Sequence, residues 1–152
     1  MSGPHKTAGR DWFGDEGLRF SCTQCGNCCT GPEGYVIVSD AEVRGLADRL
    51  GMAVADFEAK YTRVLPQGRS LTEHHTEFGY DCVFLDRETI PGKAVCGVYE
   101  HRPEQCRTWP FWKSNLQHPN AWKRAASFCP GMNTGQKHTP EHIRLTRDRS
   151  PL

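Results

Sequence analysis

Apolar residues recur at helical spacing in only a few stretches of this chain. After Ser39-Asp-Ala-Glu42, the residues Val43, Leu46, Ala47 and Leu50 fall on one face, and Gly51 stands where a helix would end. Ser39 and Glu42 have the spacing of a capping box, in which each side chain satisfies an amide left open at a helix start. A second helix is predicted over about 54–64, with Phe57, Tyr61 and Val64 packing on one side. Tyr35-Val-Ile-Val38 is a short β-branched run that suggests a strand. From Ser70 the pattern changes to short β-like pieces at 70–76, 81–85 and 94–98. The last two flank Arg87-Glu-Thr-Ile-Pro-Gly92, whose Pro-Gly pair suggests a hairpin turn. A hairpin centred near residue 89 would set Cys82 and Cys96 at matching distances from the turn. Pro103 marks another helix start, and residues 119–126 a further helix that stops before Cys129-Pro130-Gly131.

These elements predict an α+β fold: a small, loop-rich, metal-stabilised single domain with short helices and a β-hairpin. Residues 1–19 read as a flexible arm carrying Trp12 and Phe13 as candidate anchors, residues 20–131 as the domain proper, and residues 132–152 as a poorly ordered polar tail. Only 37% of the 152 residues are apolar, which gives a thin core. Metal ligation compensates for a thin core, because the energy of binding at a site absent from the unfolded chain becomes folding energy. The metal-free chain is therefore expected to be loose.

A formal charge of +1 and a pI near 7.6 give no field for nucleic acid, and the basic tail residues Arg144, Arg147 and Arg149 read as a solvated end. No apolar stretch reaches bilayer length, and the start lacks the apolar run of a secretory signal, so the expectation is a cytoplasmic protein that uses no membrane. In a reducing compartment, cysteines point to metal ligation or redox chemistry rather than to disulfides.

The cysteines carry the chemistry. Cys22, Cys25, Cys28 and Cys29 lie within eight residues, and Cys82, Cys96, Cys106 and Cys129 follow; all eight are candidate metal ligands. Thiolates suit soft and borderline metals, and two-residue gaps let successive sulfurs converge on one centre. The first three reproduce the start of the ferredoxin run, with Cys129-Pro130 as a remote fourth, which favours an iron–sulfur cluster, most simply 4Fe-4S. Zinc sites more often use two separated C-x2-C knuckles, so zinc is the alternative. On an extended backbone Cys28 and Cys29 would diverge, which suggests two centres or a bridged one. Cys106 would lie near the positive end of its helix, where a thiolate is favoured. Arg102 and Arg107 are candidates to offset the centre's negative charge, Gly26 lets the chain wrap around it, and Trp109, Pro110, Phe111 and Trp112 would wall it from water. His74, His75 and His101 lack ligand spacing and read as surface or packed residues.

The run Cys22-x-x-Cys25-x-x-Cys28-Cys29, the later Cys82-Val-Phe-Leu85 and the segment Tyr99-x-x-Arg102-Pro103-x-x-Cys106-Arg107-x-x-Pro110-Phe111 together resemble the CxxCxxCC family of zinc- or iron-chelating domains. This family is also known as the YkgJ-type cysteine-cluster proteins and includes flagellin N-methylase. The resemblance covers residues 18–131 and implies a metal or iron–sulfur site built from these cysteines. It does not bring a reaction with it, because neither a G-x-G-x-x-G turn nor a C-x3-C-x2-C run is present. Two roles follow for a protein whose partners are metal ions and, for the first, a protein partner. One is a cluster protein in electron transfer, redox sensing or modification of a partner. The other is a zinc-stabilised structural or interaction module without catalysis.

Overall fold

A computed structural model describes residues 11–152. Its strands are β1 (Leu18–Phe20), β2 (Thr62–Leu65), β3 (Gly68–Leu71), β4 (Glu73–Thr76), β5 (Gly79–Cys82), β6 (Leu85–Asp86), β7 (Val95–Cys96) and β8 (Met132–His138). Its helices are α1 (Asp40–Arg49), α2 (Val54–Tyr61), α3 (Glu104–Thr108), α4 (Lys113–Leu116), α5 (Pro119–Ala126) and α6 (Pro140–Arg149). The fold is α+β, with short antiparallel strand pairs. The chain divides into a central unit, Gln24–Trp109, and a terminal unit that joins the residues up to Thr23 with Pro110–Ser150.

In the central unit β2 pairs with β3, β4 with β5, and β6 with β7. Helices α1 and α2 bury their apolar faces with these pairs, so that Val38, Val43, Leu46, Ala47, Phe57, Leu71 and Val98 form the core. Phe57 stacks on Phe84 and tilts against Tyr61. The expected capping box is present: Ser39 Oγ accepts from Glu42 N–H at 3.1 Å, and Glu42 Oε1 accepts from Ser39 N–H at 2.9 Å. The other Glu42 oxygen accepts from the backbone N–H of Glu104, so one carboxylate caps the starts of both α1 and α3. Glu42→Ala is expected to cost about 1–2 kcal/mol, read as a lower urea midpoint with unchanged slope.

Three details differ from the sequence reading. Helix α2 ends at Tyr61, and Val64 lies on β2 with 73% of its surface exposed. The β-branched run Thr62-Arg-Val prefers an extended chain, and Thr62 Oγ1 closes the last turn by donating to Glu58 O at 2.7 Å. The segment 35–38 lies along β3 through a single bridge, Ile37 with Ser70, instead of forming a full strand. The buried Gln105 occupies its other edge, accepting from Ile37 N–H at 2.7 Å and donating to Tyr35 O at 2.9 Å. In the predicted hairpin Cys96 pairs with Leu85, while Cys82 closes a separate ladder opposite Glu73. Asp86 shifts the register, because its carboxylate takes the N–H groups of Glu88 and Thr89 and starts the turn early.

In the terminal unit β1 pairs with β8, Leu18 opposite His138 and Phe20 opposite Met132. Helix α5 has the bounds read from the sequence, with Pro119 in its first turn. Trp12 donates to Leu116 O at 2.7 Å and Phe13 is buried, so both act as anchors within this unit. Phe111 stacks on Trp122 with ring centroids 5.9 Å apart, which makes it a core residue of this unit. The stretch 132–152, expected to be a polar tail, contains β8 and α6: Thr139 caps the helix by accepting from His142 N–H, and Ile143 is fully buried. Of the expected N-terminal arm, residues 1–10 lie outside the described residues. No helix of the described residues is long and apolar enough to cross a membrane.

Candidate metal centre

The centre begins at Gly26. Its φ of +77° is left-handed, and a Cβ there would stand 2.4 Å from the Ala94 Cβ, so only glycine fits. The approach is held by Ala94 N–H donating to Gln24 O at 3.0 Å. The next three residues, Asn27–Cys29, form one 3₁₀ turn closed by Cys29 N–H on Gly26 O at 2.9 Å. Asn27 N–H donates to Cys25 Sγ at 3.4 Å, an amide–sulfur bond of the kind that stabilises a thiolate.

The turn overturns the expectation that Cys28 and Cys29 diverge. Divergence needs an extended backbone, whereas the 3₁₀ turn sets their sulfurs 3.9 Å apart. Two sulfurs held at about 2.3 Å by one tetrahedral ion are separated by about 3.8 Å, so this pair has the spacing of one coordination edge.

Three further thiols gather around this pair. Cys82 ends β5, Cys96 ends β7 and Cys106 lies in α3. The charge on Cys28 is felt at Cys29, Cys82, Cys96 and Cys106, and Cys106 is coupled to each of the other four. Arg102 is the main cation beside the cluster, acting on Cys28, Cys96 and Cys106, while Arg87 interacts with Cys29. It is oriented by stacking over the Tyr99 ring at 3.9 Å and by donating to Tyr99 O. Arg107 instead braces the backbone, donating to Arg102 O at 2.7 Å.

In the metal-free protein these thiols titrate apart. A hydrogen bond from the Cys29 thiol, with help from a backbone amide and Arg102, lowers Cys28 to about 7 against the cost of burial. The shared hydrogen bond, burial and the neighbouring sulfurs push Cys29 up. Burial raises Cys82 to about 11 and raises Cys96 and Cys106 as well. For Cys106 this reverses the expected helix-terminus effect, because α3 has only five residues and burial outweighs its dipole.

A consequence is a pH dependence of opposite sign with and without metal. Four thiols have folded pKa values raised above the unfolded value of about 8.5, so the stability they confer is present below that pH and lost as pH rises through the folded values. Cys28 acts in the opposite sense, but only between about 7 and the unfolded value. The metal-free, reduced protein is therefore expected to melt at falling temperatures above about pH 9. The metal-loaded protein, which needs deprotonated sulfurs, is expected to lose stability on acidification instead. Thermal melts of both forms across pH 5–10 check this.

Adjacent residues hold the turn in place. The buried Asp81 carboxylate accepts from Arg87 Nε at 2.7 Å and Nη2 at 3.0 Å, and from Thr30 Oγ1 at 2.5 Å. Thr30 follows Cys29 and Asp81 precedes Cys82, so this network fastens two thiol-bearing segments together. Arg87 and Thr30 hold the Asp81 carboxyl below the usual carboxylate range. Beside it, a cavity of about 110 Å³ is lined by Cys28, Cys29 and Cys82 together with Glu73, Tyr35 and Tyr80, among others. Sequence reasoning missed Thr30, Asp81, Arg87 and Glu73. The available signal was adjacency, since Thr30 and Asp81 are chain neighbours of cysteines.

None of the eight cysteines is in a disulfide. Cys22 and Cys129 belong to the terminal unit, on neighbouring segments: Ser21 N–H donates to Gly131 O at 3.1 Å. His74 and His75 lie on β4 with exposed surfaces, and His75 meets the Tyr80 ring edge-on. Among the described residues, no group of three or more Cys, His, Asp or Glu side chains is placed so that it could hold a metal ion as it stands.

A small α+β fold presenting five coupled thiols and an oriented arginine defines a cysteine-cluster metal-binding domain. The sequence model of the CxxCxxCC family, described as "Putative zinc- or iron-chelating domain", matches residues 21–130, and the chain belongs to that family. No solved structure matches it.

Proposed function

We propose that the central unit chelates a single zinc or iron ion through four of the thiols of Cys28, Cys29, Cys82, Cys96 and Cys106, and that the bound ion acts as the staple of this unit. The 3.9 Å separation of the Cys28 and Cys29 sulfurs carries this reading, because both fit one tetrahedral ion. When bound, the ion supplies a Lewis-acidic centre that fixes four thiolates and welds β5, β7, α3 and the cysteine turn together. Four thiolates on a divalent ion leave a net charge of about −2, and Arg102 offsets part of it.

A second reading, an iron–sulfur cluster serving electron transfer or redox sensing, is favoured by the Cys22-x-x-Cys25-x-x-Cys28 spacing. In it Cys25 joins the ligand set of the central unit, whereas the first reading does not use it. The two differ in colour and composition. Anaerobically purified protein holding one zinc or iron per chain and no acid-labile sulfide supports the staple, while a brown protein with iron and sulfide in equal amounts replaces it with the cluster.

A further inference from the structure

The 110 Å³ cavity beside the thiols is too small for an organic cofactor, whose pockets run from about 300 Å³ upward. It has room for an ion and a few waters, given a share of about 30 Å³ per water in the liquid. Three of the clustered sulfurs, Cys28, Cys29 and Cys82, line it. So does Glu73, which stands directly opposite Cys82 in the β4–β5 ladder and whose charge is felt at the Cys82 thiol. The carboxylate is held in place: Gly34 N–H donates to its Oε1 at 2.8 Å, and Arg63 lies 3.7 Å from the same oxygen. It is also half-sequestered, with a side chain 13% exposed. A fixed oxygen donor in a small cavity lined by thiols suits a hydrated divalent cation.

We propose that this cavity is the passage by which the ion enters and leaves the centre, with Glu73 as a transient carboxylate ligand along it; the proposal rests on the thiol-centre reading above. On entry the Glu73 carboxylate would take the place of one water on the hydrated cation and would then give way to a cysteine sulfur. Each thiol that binds releases one proton to solvent, and the Glu73 carboxylate returns unchanged. Release runs through the same positions in reverse. A transient ligand lowers the barrier in both directions and leaves the equilibrium unchanged, which separates this role from that of a resident ligand.

The test uses the full-length, reduced, zinc-loaded protein mixed with excess chelating dye, with zinc release followed by absorbance and zinc affinity measured by competition. Glu73→Gln is expected to slow release about tenfold, the low end of what a focused charge does to the rate of ion entry and therefore, at unchanged affinity, to release, while affinity stays within the error of the competition. Thr72 also lines the cavity, and Thr72→Leu, which adds bulk there and leaves the carboxylate in place, is expected to slow release in the same way. Faster release with weaker affinity in Glu73→Gln marks a resident or merely structural residue and overturns the proposal. Unchanged release in both variants, with normal zinc loading, overturns the passage alone. Failure of the unmutated protein to retain zinc overturns the passage and the thiol centre together.

Discussion

Cys106→Ala is expected to release the metal and to lower the melting temperature. Cys106, like Cys28, interacts electrostatically with all four of the other thiols, and it brings α3 to the cluster, so removing its sulfur unties that helix from the centre. Loss of a ligand exceeds the roughly 10- to 100-fold that outer-shell changes cost in metal affinity. A 100-fold loss of affinity removes about 2.7 kcal/mol of stabilisation at a fixed excess of metal, or about 5–10 °C for a chain of this size. Metal content by mass spectrometry of the native protein and a thermal melt read both effects. His75→Ala, on exposed β4, is expected to change neither. Full metal loading in Cys106→Ala would show that Cys106 is a bystander.

Asp81→Ala is expected to be the largest effect outside the thiols. Asp81 is 2% exposed and joins Arg87 bidentately to Thr30, so its removal strands a partly buried guanidinium and unties the cysteine turn from β5. Breaking such a pair from one side costs about 3 kcal/mol. The stability carried by this carboxylate has a definite sign with pH. Its folded pKa lies below the unfolded value of about 3.9, so its contribution is present above that pH and lost as pH falls through the folded value. Acid titration of the unmutated protein should therefore show a loss below about pH 4 that the Asp81→Ala variant lacks. Urea unfolding at neutral and acid pH measures both. A variant as stable as the parent at neutral pH would mean that the turn is held by its own backbone bonds.

Local signals were the legible part of this fold. The capping box at Ser39 and Glu42, the apolar face of α1 and the proline start of α5 each depend on neighbouring residues, and each appears where the sequence puts it. Long-range choices were not legible. The end of α2 was decided by Thr62 turning into a strand paired with β3, and the hairpin register by the Asp86 carboxylate capturing two amides. The edge of the segment 35–38 was taken by Gln105, about seventy residues away, which no periodicity announces.

At the site, the ligand type was legible from cysteine count and spacing, and Arg102 from its place beside Cys106. The direction of the Cys28 and Cys29 side chains was not, because it depends on the 3₁₀ turn that Gly26 permits. The balance between burial and helix dipole at Cys106 was hidden for the same reason: burial is set by the packed fold, whereas proximity to a proline is set by the chain.

X-ray absorption at the edge of the bound metal tests the central claim most directly. A shell of four sulfur scatterers at about 2.3 Å is the predicted result. A first shell of nitrogen and oxygen at about 2.0–2.2 Å would contradict it.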